Sequence, residues 1–435
     1  MSKVLIKRAK IIDPSKDELF IGDLYIDGGK ICEIGEDLFR CAEYADEIID
    51  ADGMTLAPGL VDMHVHMRDP GQTKKEDIYT AAKAAAAGGI TAMLAMPNTK
   101  PAVDTPEVVN YILKRAEKAD VKVYTAAAIT RGLKGGTRSD WTVLKEAGAI
   151  AFSDDGRPVL NTADLLAVLQ FAKENEILVT AHCEDLSAAG NGIVHKGAVS
   201  EELGIPGIPY AAEDCGTARE IAAAASIDAP IHICHVSTKG SVELIRDAKR
   251  SGLKVTAETA PHYLLLTDEM LRKKDADYRM NPPLREEADR LALIEALTDG
   301  TIDAVATDHA PHTVSEKADF LLAPNGAIGM ETSLSATLTA LDGVLTTTQI
   351  VRLMSKNPAE ILKIPGGDLE IGAPANLVLF DENEIWTVDE TKLHGKSRNT
   401  PFKGMSLKGK VKYTFYEGRK IFEDKINVKD DEYAV

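Results

Sequence analysis

Two hydrophobic patterns follow one another along the chain. Near both ends, short segments alternate apolar and polar residues and are separated by turn residues, the pattern of half-buried strands. Between residues 57 and 365, apolar runs of about five to eight residues alternate with segments that have helical spacing. We therefore expect strands at both ends of the chain and a repeated strand–helix unit between them.

The terminal segments predict β structure that needs a partner. Gly28-Gly29 and Glu417-Gly418 are typical of hairpin turns. Because each terminal piece is too small to bury a core alone, we expect both to form one satellite β domain, a small β-sandwich made of residues 1–56 and 366–435. Its strands are expected at 3–12, 24–27, 30–34, 47–50, 376–380 and 410–416.

The middle of the chain, residues 57–365, predicts a (β/α)8 TIM-type barrel, for which about 250 residues is typical. Gly88-Gly89 favours the end of a helix, and Thr105 followed by proline favours the start of another. The eight strands are expected at 60–66, 90–96, 121–128, 149–153, 177–182, 231–235, 254–258 and 302–307. Helices are expected at 75–87, 106–119, 164–174, 331–341 and 348–362.

Potential metal ligands follow the predicted barrel strands. His64 and His66 lie two residues apart, so both side chains point to the same face of strand one. Active sites of such barrels lie at the carboxyl ends of the strands. The other strand ends carry Asp154-Asp155, His182, His235 and Asp308. Imidazoles and carboxylates converging on one end suit one or two divalent ions of the zinc type.

Such an ion would give the predicted site hydrolytic chemistry. Zinc polarises a carbonyl and lowers the pKa of a bound water toward about 7. A carboxylate near that water can take its proton and return it to a leaving group. Asp308 at the end of the last strand is placed for this role, so we expect it to be the catalytic residue.

Composition and charge limit the kinds of binding partner and compartment that we expect for this protein. The net charge of −18 argues against nucleic acid, which is bound through an excess of Lys and Arg. The five cysteines are scattered, which fits a reducing compartment. The first residues lack the apolar core of a signal peptide, and no later stretch reaches the length of a membrane span. We expect a soluble, cytoplasmic homo-oligomer without membrane or nucleic-acid partners.

Several motifs together resemble the amidohydrolase superfamily and, within it, the family of long bacterial dihydroorotases. The resemblance covers nearly the whole chain. The motifs are GLVDMHVHMRDPG from Gly59, MPNT from Met96, FSDDG from Phe152, AHCE from Ala181, HVST from His235, ETAPH from Glu258 and TDHAPH from Thr307.

The resemblance implies reversible cyclisation of N-carbamoyl-L-aspartate to (S)-dihydroorotate, a step of de novo pyrimidine (UMP) biosynthesis. Asp155 is preferred over Asp154 as a ligand because its interval to His182 fits the family pattern. The metal would be zinc, one or two ions per subunit, and aspartate transcarbamoylase is a possible partner. The implied metal ligands are His64, His66, Asp155, His182, His235 and Asp308.

The resemblance also implies how the substrate is held. Arg68 offers planar donors to a carboxylate that the reaction leaves unchanged. Asn98 and His312 would join Arg68 on that carboxylate, and Asn281 would contact the ring. His66, Asn325 and Gly326 complete the expected substrate-binding set. Residues 313–323 could form a lid over the site.

Two other classes of function stay open on the sequence alone. One is another cyclic-amide hydrolase, a dihydropyrimidinase (hydantoinase) or an allantoinase, although those relatives usually place a lysine at the bridging position. The other is a non-catalytic relative that docks onto aspartate transcarbamoylase. Such relatives tend to lose ligands, whereas the set in this chain is complete.

Overall fold

The computed structural model describes residues 2–16 and 18–424, and this part of the chain forms eighteen strands and thirteen α-helices. The strands are β1 Val4–Asp13, β2 Glu18–Asp27, β3 Lys30–Gly35, β4 Glu47–Asp50, β5 Thr55–Pro58, β6 Leu60–Val65, β7 Ile90–Ala95, β8 Lys122–Ala128, β9 Ala151–Ser153, β10 Leu178–Ala181, β11 Val194–His195, β12 Gly207–Ile208, β13 Ile231–Ile233, β14 Val255–Thr259, β15 Ala304–Val305, β16 Leu377–Thr387, β17 Ser406–Tyr416 and β18 Arg419–Glu423. The α-helices are α1 Ile78–Ala87, α2 Pro106–Ala116, α3 Trp141–Glu146, α4 Thr162–Asn175, α5 Leu186–Ala189, α6 Ala198–Leu203, α7 Tyr210–Ser226, α8 Lys239–Arg250, α9 Pro261–Leu265, α10 Glu287–Thr298, α11 Ser333–Ala340, α12 Thr347–Val351 and α13 Asn357–Leu362.

Eight parallel strands form a nearly closed barrel, as the hydrophobic pattern predicts. Their order is β15-β14-β13-β10-β9-β8-β7-β6, with helices in the connections. The first and last strands meet through the backbone N–H of His66, which donates to the carbonyl of His309 at 2.8 Å. Asp62 adds a side-chain link, since its carboxylate accepts from the backbone N–H and the hydroxyl of Thr307 at 3.1 and 2.6 Å.

Strands from both ends of the chain form a second sheet. Its order is β18-β17-β16-β5-β1-β2-β3, and β4 pairs with β1. Ile11 and Leu56 from the N-terminal part pack in one buried cluster with Leu377 and Phe415 from the C-terminal part. The expected pairing of the two ends in one sheet is therefore confirmed. The domain boundaries at 56/57 and 365/366 stay predictions, and residues 1, 17 and 425–435 of that predicted domain lie outside the described residues.

Local sequence signals determine where several barrel helices begin and end. Asp77 caps α1, its carboxylate accepting from the backbone N–H groups of Tyr79 and Thr80, and Gly88 ends the helix. Thr105 is the N-cap of α2 by position, without a side-chain cap bond, and Pro106 is the first helical residue. The predicted helix 348–362 is instead two helices separated by the wider turn Arg352–Lys356, because Pro358 has no backbone N–H to continue the ladder.

All five cysteines are unpaired, and Cys183 and Cys234, the two beside histidines that are predicted metal ligands, are buried. Among the described residues, no helix combines the length and the apolar character needed to cross a bilayer.

Candidate metal and substrate site

The six predicted metal ligands meet inside the carboxyl end of the barrel. The Nε2 atom of His66 lies 3.0 Å from Oδ1 of Asp308 and 3.4 Å from Oδ2 of Asp155. The Nε2 atom of His64 lies 3.2 Å from Oδ1 of Asp155 and 3.7 Å from Oδ1 of Asp308. His235 Nε2 is 3.4 Å from the same Asp155 oxygen. Asp155 therefore contacts ligands from both sides of the cluster.

His182 completes the cluster through Nδ1. This nitrogen lies 3.0 Å from Nε2 of His235 and 3.7 Å from Oδ1 of Asp155. Within the cluster, His64 with His66 and Asp308 forms one group of possible ligand atoms, and His64 with Asp155 and His235 forms another; in each group all atoms lie within 4.8 Å of one another. Two adjoining groups that share His64 suit one ion or a pair of ions.

Three neighbouring side chains fix which nitrogen of each imidazole faces the cluster. Nδ1 of His64 contacts Oε1 of Glu258 at 2.8 Å. Nδ1 of His66 contacts Oδ1 of Asn98 at 2.8 Å. Nε2 of His182 contacts Oε2 of Glu184 at 3.1 Å. Because each oxygen accepts the proton of one ring nitrogen, the other nitrogen faces the cluster and can bind a metal once any proton on it is displaced.

Charge in the cluster is balanced by protons on the imidazoles. Burial alone would lower the pKa of His64, but the charges and hydrogen bonds of Asp155 and Cys234 together outweigh burial and hold that pKa well above its usual value. Burial is outweighed in the same way for His182, whose hydrogen bonding to Asp155 and Glu184 raises the pKa to about 10. For Asp308, burial would raise the pKa, but the bond from His66 and the charge of His64 lower it to about 2. A divalent cation would displace such protons on binding.

The donor set fits such a cation. Nε2 of His64 is fully buried and has no hydrogen-bond partner, although two carboxylates lie near it. A buried nitrogen left without a partner in a protein interior costs free energy unless something binds it. Four imidazoles and two carboxylates are ligands typical of zinc and similar first-row metals.

The two adjacent aspartates point in different directions. Asp155 is in the cluster, whereas the Asp154 carboxylate accepts from the backbone N–H of Thr130 at 2.9 Å and from its hydroxyl at 2.5 Å. Asp154 therefore ties the end of β9 to the segment after β8. The structure places only Asp155 where it could bind a metal.

A cavity of about 280 Å³ opens above the cluster. His64 lies beneath its floor and is fully buried. Every other predicted site residue is part of the lining, together with Gly156 and Ala310. The predicted residues in the lining are His66, Arg68, Asn98, Asp155, His182, His235, Asn281, Asp308, His312, Asn325 and Gly326.

Arg68 and His312 form a polar wall of this cavity. Arg68 is only 9% exposed, and its Nε donates to the carbonyl of Pro311 at 3.2 Å. Burial lowers the pKa of Arg68 to about 10, so the guanidinium stays charged at neutral pH. Its Nη2 lies 3.5 Å from Nε2 of His312. This wall offers an anion a positive charge and planar donors.

Two other residues that are predicted to contact the substrate, Asn281 and Gly326, already make hydrogen bonds within the protein. Asn281 donates its amide to Glu184 at 3.3 and 3.4 Å. The backbone N–H of Gly326 donates to the carbonyl of Arg279 at 2.9 Å. A side chain at position 326 would collide with Ala310, and φ is +135°, so only glycine fits this part of the cavity wall.

Backbone strain is concentrated in the site. Arg68, His235 and Asp308 have positive φ values of 60°, 36° and 47° although none is glycine. Each such residue costs about 1–3 kcal/mol and persists where the surrounding structure holds it. All three residues line the same cavity, so the backbone strain lies where the predicted site residues meet.

Glu258 and Glu184, which the sequence alone does not assign to the site, lie directly behind the predicted ligands His64 and His182. Glu258 is buried between His64 and His232, at 2.8 and 3.3 Å. A signal was present for Glu184, because it follows His182 by two residues and so shares its side of the chain. Both carboxylates stand in motifs that already indicated the family.

Comparison with known proteins decides the family. The amidohydrolase family model matches residues 55–421 of this chain. The chain belongs to the amidohydrolase family. Curated relatives of this amidohydrolase include proteins named dihydroorotase from Geobacter metallireducens, 47% identical over 97% of this chain and 99% of the relative, and from Syntrophus aciditrophicus, 45% identical over 97% of this chain and 100% of the relative.

Solved structures similar to this amidohydrolase carry other names. An L-hydantoinase (dihydropyrimidinase) from Arthrobacter aurescens has a TM-score of 0.85 at 25% identity, covering 97% of this chain and 96% of that one. A dihydropyrimidinase from Brevibacillus agri has a TM-score of 0.84 at 27% identity, covering 97% and 95%. The fold is thus shared with enzymes whose names indicate a different substrate.

Proposed function

We propose that this protein is a dihydroorotase, a cyclic amide hydrolase that interconverts N-carbamoyl-L-aspartate and (S)-dihydroorotate plus water in de novo pyrimidine biosynthesis. Curated relatives with this name are 44–47% identical over nearly the whole chain. The observation that carries the proposal is the buried guanidinium of Arg68 in the same cavity as the histidine–aspartate cluster. A cyclic amide that carries a carboxylate fits this cavity, because its carboxylate would bind Arg68 and its amide would face the histidine–aspartate cluster.

Zinc is the metal that this donor set suits best, held by His64, His66, Asp155, His182, His235 and Asp308. When bound, zinc polarises a carbonyl oxygen and makes a water molecule more acidic. Glu258, Asn98 and Glu184 hold three of the imidazoles with their lone pairs turned inward, so the ligands need little rearrangement on binding.

The substrate carboxylate that does not react would lie against Arg68. The guanidinium can donate two parallel hydrogen bonds to its oxygens. His312 and Asn98 flank this position in the cavity wall and add donors. Because Arg68 is buried, its charge is more strongly felt by an anion here than at the surface. This contact orients the ring with its amide bond toward the cluster.

Asp308 would move the proton. In ring opening, water attacks the amide carbonyl carbon, the ring C–N bond breaks, and the water proton reaches the departing nitrogen. The Asp308 carboxylate lies in the cavity beside His66 and is ionised at neutral pH, so it can accept that proton and return it. Cyclisation is the same sequence in reverse.

A dihydropyrimidinase (hydantoinase) is the second candidate, and the similarity in fold to solved hydantoinases favours it. An allantoinase, which is also a cyclic-amide hydrolase, is part of the same alternative. Hydantoin and dihydrouracil have no carboxylate for Arg68. Binding them would leave a buried charge without a partner, which is costly. A non-catalytic partner of aspartate transcarbamoylase is less supported because the complete ligand set has no use in such a protein.

The proposal is tested by a substrate panel. Purified, zinc-loaded protein should open dihydroorotate with a kcat/KM at least about 1,000-fold above its values for hydantoin, dihydrouracil and allantoin. The reverse reaction should consume N-carbamoyl-L-aspartate at mildly acidic pH. Preferential opening of hydantoin would replace this proposal by the alternative.

A pair of variants tests the metal ligands. Asp155→Asn should weaken zinc binding by about 100-fold, because a bridging charge between the two halves of the cluster is lost. Asp154→Asn is the matched control, since its carboxylate contacts Thr130 instead, and it should keep wild-type zinc content. Metal content after dialysis against a chelator gives the readout. Equal loss in both variants would contradict the assignment of Asp155.

The remaining expectations concern the molecule as a whole. The proposed enzyme is cytoplasmic and homo-oligomeric, and aspartate transcarbamoylase is a possible partner. Light scattering of the purified protein measures its oligomeric state. Mixing it with an aspartate transcarbamoylase from the same organism shows whether the two associate.

A further inference from the structure

Lys75, in the segment between β6 and α1, contacts the carboxylate-binding wall from behind. Its Nζ lies 3.2 Å from Nδ1 of His312 and 2.8 Å from Oε1 of Glu316. The Lys75 side chain is 17% exposed, so the contact is largely shielded from water. Lys75 does not line the cavity, and it can therefore act on a substrate only through His312.

The chemistry of lysine determines where the His312 proton lies. An ammonium group has donors and no acceptor, so Nδ1 of His312 must accept from Lys75. A neutral imidazole then carries its proton on Nε2, which contacts the carbonyl of Asn325 at 2.9 Å and faces Arg68. Because Nε2 lies 3.5 Å from Nη2 of Arg68, this N–H donor stands beside the guanidinium that would bind the carboxylate.

Charges around the ring support a neutral form. Burial, together with the positive charges of Arg68, Lys75 and Lys317, lowers the pKa of His312 to about 3. The only carboxylate facing the ring among its described neighbours is Glu316, whose Oε2 lies 3.8 Å from Nδ1. Lys75 stands between these two groups and binds both.

We propose that Lys75 is a positioning residue that keeps Nδ1 of His312 free of a proton and so holds the proton on Nε2, where both the carbonyl of Asn325 and the substrate carboxylate can accept it. The expected effect on substrate binding rests on the proposed function, whereas the contact of Lys75 with His312 does not. Without Lys75, Glu316 is the nearest partner for Nδ1 and would draw a proton onto it. In the neutral ring, Nε2 would then carry a lone pair that repels a carboxylate and attracts Arg68 away from it.

The kinetic test replaces Lys75 by methionine, which keeps the length of the side chain and removes its donors. At about pH 8, Lys75→Met should raise KM for dihydroorotate about 10-fold, the effect of losing one charge-assisted contact, with kcat within about 2-fold of wild type. Lys75→Arg should restore KM, because a guanidinium also donates to both partners. Lys74→Met, at the exposed neighbouring lysine, is the control and should match wild type.

The second measurement does not depend on activity. In protein with ¹⁵N-labelled histidine, the His312 signals, assigned by their absence from His312→Gln, should show an unprotonated Nδ1 in wild type and Lys75→Arg. Lys75→Met should show a protonated Nδ1. A protonated Nδ1 in wild type, or an unprotonated one in Lys75→Met, would overturn the inference, as would an unchanged KM. Absence of dihydroorotase activity in wild type would refute the proposed function alone and leave the nitrogen signals to decide the role of Lys75.

Discussion

Replacing Asp308 by asparagine should lower kcat for ring opening by about 1,000-fold, the middle of the range for removal of a general acid–base group. Asparagine has nearly the same shape and still presents an oxygen, but it cannot carry a proton between water and the leaving nitrogen. KM should change less than kcat, because Arg68 and His312, which also line the cavity, are the proposed partners of the substrate carboxylate. Steady-state kinetics of zinc-loaded protein measure both quantities.

Two controls separate the loss of the base from the loss of metal or fold. Zinc content of Asp308→Asn must be determined alongside activity, since this carboxylate is also a proposed ligand. Asp319→Asn removes an exposed carboxylate in the segment after the same strand and should keep wild-type kinetics. Retention of more than about a tenth of wild-type kcat by metal-loaded Asp308→Asn would show that another group moves the proton.

The sequence was enough to predict the barrel because each strand is a buried apolar run between helices with clear ends. The exact residues at which the strands begin and end could not be predicted in the same way. The last strand was predicted at 302–307, but β15 contains only Ala304–Val305. Asp62 takes the backbone N–H of Thr307, and Asp308 turns into positive φ, so the ladder ends early. The N–H of Thr307 thus bonds a side chain of the first strand instead of a backbone carbonyl. The sequence near Thr307 gives no indication of this.

The sheet of the chain ends shows the same limit. Strand β5, Thr55–Pro58, was not predicted because it is short and ends in proline, which is unfavourable inside sheets. Its partners are β1 on one side and β16, from the other end of the chain, on the other. Residues 55–58 therefore form a strand because of long-range pairing, although their own sequence does not favour one.

In the candidate site, residue types could be predicted and orientations could not. The spacing of His64 and His66 placed them on one face, and the structure brings them into the same cluster. The nitrogen that faces the cluster depends on Glu258 and Asn98, which lie far away in sequence. The contact of Lys75 with His312 also joins distant segments, so only coordinates reveal it.

Replacing Arg68 by glutamine should have the largest effect on substrate binding. We expect kcat/KM for dihydroorotate to fall by about 1,000-fold, corresponding to roughly 4 kcal/mol for two charge-assisted hydrogen bonds in a buried site. Most of the loss should lie in KM. Arg68→Lys should fall between wild type and Arg68→Gln, because an ammonium keeps the charge without the planar pair of donors.

A comparison of substrates makes this test specific. The slow opening of dihydrouracil, which has the ring and no carboxylate, should change by less than about 3-fold in Arg68→Gln, since that ring makes no ion pair to lose. Arg157→Gln, at an exposed arginine after β9, is the matched control and should leave both substrates unaffected. If Arg68→Gln slowed both substrates equally, the arginine would act on the strained backbone beside His66 and not on the carboxylate. Selectivity for an anionic ring would then have to come from His312 and Asn98, whose contacts with Lys75 and His66 already commit part of their bonding capacity.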